Sequence, residues 1–72
     1  MKTRYEYVHF ERIKATRDWL CRNNQSKAII GYVTWYRQWK QYVFEGREGC
    51  VFSASCLRDV ADFLDQLEKG GQ

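Results

Sequence analysis

The sequence predicts an α+β domain: a small antiparallel sheet of three or four strands with one C-terminal helix packed on one face, in the order β-β-β-α. Three observations carry this. Ile29 to Glu45 is dense in β-branched and aromatic residues and holds no proline, the mark of strands. Leu57, Val60, Ala61, Leu64 and Leu67 recur at helical spacing further on, with acidic residues between them. A length of 72 residues bounds the chain to a single domain, residues 1–72, near the lower size limit for unaided folding.

Arg4 to Ile13 alternates loosely, with Tyr5, Tyr7 and His9 on one side and Val8 and Phe10 on the other, and reads as a strand. Lys14-Ala15 reads as a bulge or a bend into Thr16 to Arg22, where Trp19, Leu20 and Cys21 are consecutive and periodicity does not choose the inward face. Asn23-Asn24-Gln25-Ser26 is a turn cluster, because asparagine tolerates left-handed backbone and bonds locally. A hairpin closing there sets Leu20 opposite Ile29.

Ile29 to Glu45 reads as a second hairpin, turning at Arg37-Gln38. A two-residue turn pairs Trp35 with Lys40, Val33 with Tyr42 and Gly31 with Phe44. Ile29, Val33, Trp35, Tyr42 and Phe44 then form a core face. The opposite face carries Ile30, Tyr32, Thr34, Tyr36, Trp39, Gln41 and Val43, more aromatic than a solvated face requires. Gly46-Arg47-Glu48-Gly49 is a loop and Cys50-Val51-Phe52 a short extended lead. Ser53 or Ser55 caps the helix, Cys56 and Phe63 widen its apolar stripe, and Gly70-Gly71 end it beyond Lys69. Leu57, Val60, Leu64 and Leu67 are expected to pack on Val33, Trp35, Tyr42 and Phe44.

Composition narrows the function. The twelve aromatics supply large buried areas to a small core. No apolar run is long enough to span a bilayer, and Met1 leads directly into charged, alternating residues, which predicts no secretory leader and no membrane partner. Cys21, Cys50 and Cys56 are odd in number and form no Cys-x-x-Cys pair, which suits a reducing cytoplasm and inert thiols rather than a disulfide framework or a zinc site. The net charge is +3, divided between +6 over residues 1–47 and −3 over residues 48–72. That polarity suits an acidic protein or a nucleic acid without requiring either.

The run Gly31-x-x-x-Trp35-Tyr36-x-x-Trp39-Lys40-x-Tyr42-x-Phe44, followed by Val51-Phe52-Ser53-x-x-Cys56-Leu57-x-Asp59-Val60-x-x-Phe63-Leu64, resembles a family of small uncharacterised phage and prophage proteins. The resemblance spans roughly residues 14–68. Relatives tend to hold a proline between the two tryptophans, where this chain has Arg37-Gln38. The family brings no activity with it; what it implies is a phage-type genomic context and expression inside a bacterial cell.

No reaction is legible. His9 beside Glu11 is expected to be a surface strand histidine rather than a general base. Cys56 in the first helical turn is expected to sit at the sheet–helix junction rather than act as a nucleophile. Asp59, Asp62 and Asp65 drift around the helix and read as a solvated face. Gly46-Arg47-Glu48-Gly49 lacks the Gly-Lys-Ser/Thr of a phosphate loop. No cofactor, metal or enzymatic activity is expected.

Tyr32, Tyr36 and Trp39, with Arg17, Arg37 and Lys40, are the candidate partner-binding residues. Trp, Tyr and Arg are enriched in protein hot spots, and the same pairing of rings with fixed positive charge suits stacking on bases. The alternative is that the N-terminal strand or a second subunit covers this face. The first functional expectation is a non-enzymatic module that inhibits or modulates a bacterial host factor such as a defence system, in the manner of an anti-CRISPR. The second is a DNA-binding module resembling the three-stranded-sheet arm-binding domain of phage integrases, opposed by the modest net charge. Self-association and capture of a small nucleotide by an oligomer stay open.

Overall fold

The computed structural model describes residues 1–70; Gly71, expected to help end the helix, lies outside the described residues. The elements are β1 (Val8–Arg12), β2 (Trp19–Asn23), β3 (Ile29–Tyr36), β4 (Gln41–Gly46) and α1 (Ala54–Glu68). The four strands form one antiparallel sheet in sequence order, and α1 lies across one face of it. The domain is therefore α+β with four strands, at the upper end of the expected count.

The N-terminal segment departs from a continuous strand. Tyr5 N–H donates to Val8 O (2.8 Å) and Phe10 N–H to Thr3 O (2.8 Å), so residues 3–5 fold back along the outer edge of β1. The reversal carries Tyr5 to the helix side, where its ring meets Phe10 edge-on at 5.9 Å. Tyr5 thus shares a face with Phe10, not with His9 and Tyr7 as alternation predicted. Gln66 fixes this segment to α1: it accepts from Lys2 N–H and donates to Lys2 O and to the Tyr5 hydroxyl oxygen.

At the first strand turn Ala15 takes a positive φ. Asn23 forms the second turn through its side-chain oxygen, which accepts from Gln25 N–H and Ser26 N–H (2.8 and 3.0 Å), as an Asx-turn requires. Leu20 pairs with Tyr32 rather than Ile29, so it faces away from the helix while Trp19 and Cys21 face it. A bulge follows: Cys21 pairs with Gly31 but Arg22 with Ile29, leaving Ile30 as the extra residue. The bulge reverses the expected roles of the two isoleucines, and Ile30 is the one that packs against the core.

The central hairpin has a four-residue loop, Arg37 to Lys40, closed by the Tyr36–Gln41 pair. Trp39 N–H donates to Tyr36 O and Lys40 N–H to Arg37 O, and Lys40 takes a left-handed φ of 52°. The expected two-residue turn is thus corrected, and the register shifts by two: Trp35 faces Tyr42, Val33 faces Phe44 and Gly31 faces Gly46. A shift of two preserves side-chain parity, so the expected faces of Tyr32 to Tyr36 and of Gln41 to Phe44 survive it. Gly31 admits a close neighbour. A β-carbon there would meet Phe44 Cε1 at 2.8 Å and Glu45 O at 2.9 Å, because the Phe44 ring lies over the glycine.

Ser53 is the N-cap of α1, its hydroxyl accepting from Cys56 N–H at 3.2 Å. The buried stripe runs Cys56, Val60, Phe63, Leu67, with Leu64 partly buried beside it. Leu57 is 49% exposed and Ala61 is exposed, so the helix is rotated from the expected face and Phe63 takes the centre. The Phe63 ring, fully buried, stacks on Phe10 at 4.1 Å and meets Trp19 edge-on at 5.0 Å. Val8, Cys21 and Val33 complete the core beneath it. No helix of the described residues is long and apolar enough to cross a membrane.

Candidate functional site

The β3–β4 part of the sheet face opposite α1 is open to solvent, whereas at β1 the same face closes over His9. Cross-strand pairing places Leu20, Tyr32 and Glu45 in one row of it, Thr34 beside Val43, and Tyr36 beside Gln41. Tyr32 is half-buried in the floor, and Tyr36 ends β3 at 37% exposure. The loop's helical-type turn then throws Trp39 back over Tyr36. Their rings sit 4.9 Å apart at 80°, and Trp39 stays 65% exposed. Tyr36, Trp39, Val43 and Glu45 together bound a shallow depression of about 220 Å³. A tryptophan that exposed contributes little to the core, and with its neighbours it forms an aromatic patch at one end of the sheet.

The structure divides the expected binding residues. Tyr32, Tyr36 and Trp39 share the open face. Arg37 lines a separate depression at the loop tip with Gln38, and Lys40 occupies the left-handed position that ends the loop. Arg17 does not join them: its guanidinium lies 5.6 Å from the centroid of the Trp35 ring, on the helix-bearing face. Its expected place beside Tyr36 and Trp39 is therefore corrected; the bend before β2 carries it to a small notch shared with Arg12, Trp19 and Tyr42. Val43 and Glu45 were missed as site residues. Their parity with Gln41 marked them for this face, but only the register brings them to Trp39. The N-terminal segment lies along the β1 edge and leaves the aromatic patch open.

The candidate chemical groups are committed elsewhere. His9 is 8% exposed, not a surface residue, because the fold-back of residues 3–5 encloses it. Its Nδ1 meets Asn24 Oδ1 at 2.7 Å and its Nε2 meets Glu11 Oε2 at 2.9 Å, so neither ring nitrogen is free. Glu11 also accepts from Arg22, and the hydrogen bond from His9 foremost holds its carboxyl below the usual range. Asn24 donates to Tyr5 O and Glu6 O, tying this cluster to the N-terminal segment. Burial pushes the Cys21 thiol up to about 12 and raises that of Cys56, with Asp59 adding to the latter. Protonated, buried thiols are poor nucleophiles. Asp62 accepts from the Tyr5 hydroxyl at 2.7 Å, and burial together with this carboxylate raises the Tyr5 phenol. Among the described residues no three His, Cys, Asp or Glu side chains come together as a metal site.

Fold and surface together define a small α+β domain with a helix on one sheet face and an aromatic patch on the other. No family model, no curated protein and no solved structure matches the chain.

Proposed function

We propose that this domain is a non-enzymatic, phage-type binding module that docks on a bacterial host protein through the Tyr36–Trp39 corner, and so inhibits or modulates a host factor such as a defence system. The observation that carries the proposal is the exposure of Trp39 against Tyr36 on the open part of the sheet face. An exposed Trp–Tyr pair, with Arg37 and Lys40 on the adjoining loop, has the composition of an interface hot spot. The resemblance to small phage proteins supports the bacterial cytoplasm as the place and a host component as the partner. Association of two copies through the same patch is a variant of this reading.

The test is Trp39→Ala, read for stability and binding together. Its ring makes one edge-on aromatic contact, so the substitution should cost about 0.5–1.5 kcal/mol of stability. Capture of the host protein from bacterial lysate should fall by about 2 kcal/mol or more in affinity. A loss of stability with capture intact would end the proposal. The DNA-binding reading is favoured by the open sheet with Arg37 and Lys40 at its tip, and opposed by Glu11 and Glu45 on the same face. Salt separates the two. DNA affinity would fall by roughly one log unit per log unit of salt for each phosphate contacted, whereas a protein interface responds mainly in its association rate.

A further inference from the structure

We infer that the corner between Tyr36 and Trp39 receives a cationic side chain, an arginine or lysine presented by the partner, with Glu45 as its counter-charge. The inference rests on the reading of this patch as a docking surface and names the chemistry of its occupant. The two rings stand at 80° to each other, so they form two walls of an open corner. Val43 and Glu45 line the same depression as the two rings. Among the described residues no lysine or arginine lies within ion-pair distance of Glu45; the ion pairs present join Glu11 to His9 and Arg22.

The occupant follows from what these walls tolerate. Aromatic faces carry a negative quadrupole and attract a cation placed over them. An anion would be repelled by both the ring faces and the carboxylate. A purely apolar group would fill the corner but strip water from Glu45 without replacing its hydrogen bonds. A guanidinium or ammonium satisfies rings and carboxylate at once, and the apolar stem of its side chain covers Val43. At about 220 Å³ the depression far exceeds a water molecule's share of volume, and its open side admits a long stem without rearrangement. Arg37 and Lys40 sit on the loop beyond Trp39, where they can meet carboxylates flanking the partner's cation.

The test uses a short glycine–serine peptide with a single arginine, and its citrulline counterpart, which replaces the guanidinium by a neutral urea of nearly the same shape. Binding is followed at the Trp39 indole N–H by two-dimensional NMR on the full chain. The arginine peptide should give a saturable shift at Trp39, with affinity about three- to tenfold above the citrulline peptide. Glu45→Gln should remove most of that preference while leaving thermal unfolding unchanged. Equal binding of the two peptides, no shift at all, or a preference untouched by Glu45→Gln would each overturn the inference. The two proposals fail separately. If Trp39→Ala abolishes host-protein capture while the peptides are indistinguishable, the docking surface stands and the cation is wrong. If the arginine preference holds while Trp39→Ala leaves capture intact, the corner binds cations but is not the docking site.

Discussion

Replacing Phe63 by leucine tests the placement of the whole helix. The ring is fully buried, stacked nearly parallel on Phe10 at 4.1 Å and edge-on to Trp19 at 5.0 Å. Leucine keeps most of the volume and removes both ring–ring contacts, each worth about 0.5–1.5 kcal/mol, so the loss should be about 1–3 kcal/mol. A domain of this size has about 4–11 kcal/mol in all, so the variant should remain folded and measurable. The assay is urea unfolding followed by tryptophan fluorescence and by far-ultraviolet circular dichroism. The two probes should coincide, with the midpoint lowered and the slope unchanged. Phe10→Leu and the double variant complete a cycle whose coupling should be about 0.5–1.5 kcal/mol. Leu57→Ala, on the exposed flank, should stay within about 0.5 kcal/mol. A Leu57→Ala cost equal to that of Phe63→Leu, with coupling to Phe10 near zero, would mean that α1 presents a different face to the sheet.

Gly31→Ala should destabilise by about 1–3 kcal/mol, since the added carbon meets the Phe44 ring and Glu45 O; unchanged thermal unfolding would show that the ring moves aside freely. Lys40→Gly should raise stability by up to about 1 kcal/mol by relieving the left-handed position, and a lower unfolding temperature would argue against that loop geometry. A thiol reagent at mild pH should modify Cys50 quickly and Cys21 and Cys56 only on unfolding; three equally fast thiols would contradict the burial. Stability should decline as pH rises above about 9. The unfolded chain ionises Cys21 at its ordinary value while the folded chain resists to about 12, so each pH unit in that window removes about 1.4 kcal/mol. Cys21→Ala should lessen that decline, leaving the raised Cys56 thiol and, from its own ordinary value of about 10, Tyr5 to contribute. At the acid end, protonation of Glu11 removes the favoured partner of His9 and Arg22, so stability should also fall as pH drops through the carboxylate range.

The helix, the central hairpin and the sheet-on-helix arrangement were legible because their signals are periodic and local. Register was less so. The hairpin loop holds four residues because Lys40 accepts a left-handed backbone, and nothing about a lysine announces that. Trp19, Leu20 and Cys21 are consecutive and apolar, so only the pairing with Gly31 and Val33 decides that Leu20 faces outward. The bulge at Ile30 exchanges two chemically identical neighbours, which no pattern of residue types distinguishes. In the helix, Leu57 fits the spacing as well as Cys56 does, and the large ring of Phe63 determines the rotation by stacking on Phe10. Of the candidate site, Tyr36 and Trp39 were readable from the aromatic excess on one parity. Arg17 was misplaced because it lies in a bend, where sequence distance says nothing about side.

The fold-back of residues 3–5 and the Glu68 carboxylate share one consequence for how the molecule behaves in company. A sheet ends in rows of unpaired backbone groups that can template another chain. On the β1 side the returning segment already occupies that row, and on the β4 side Tyr42 N–H donates to Glu68. Strand addition by a neighbour must first displace one of these guards, so growth into fibrils is obstructed at the points where ladder pairing would start. Changing Glu68 to alanine should therefore make concentrated protein gel or precipitate at temperatures where the domain itself is still folded.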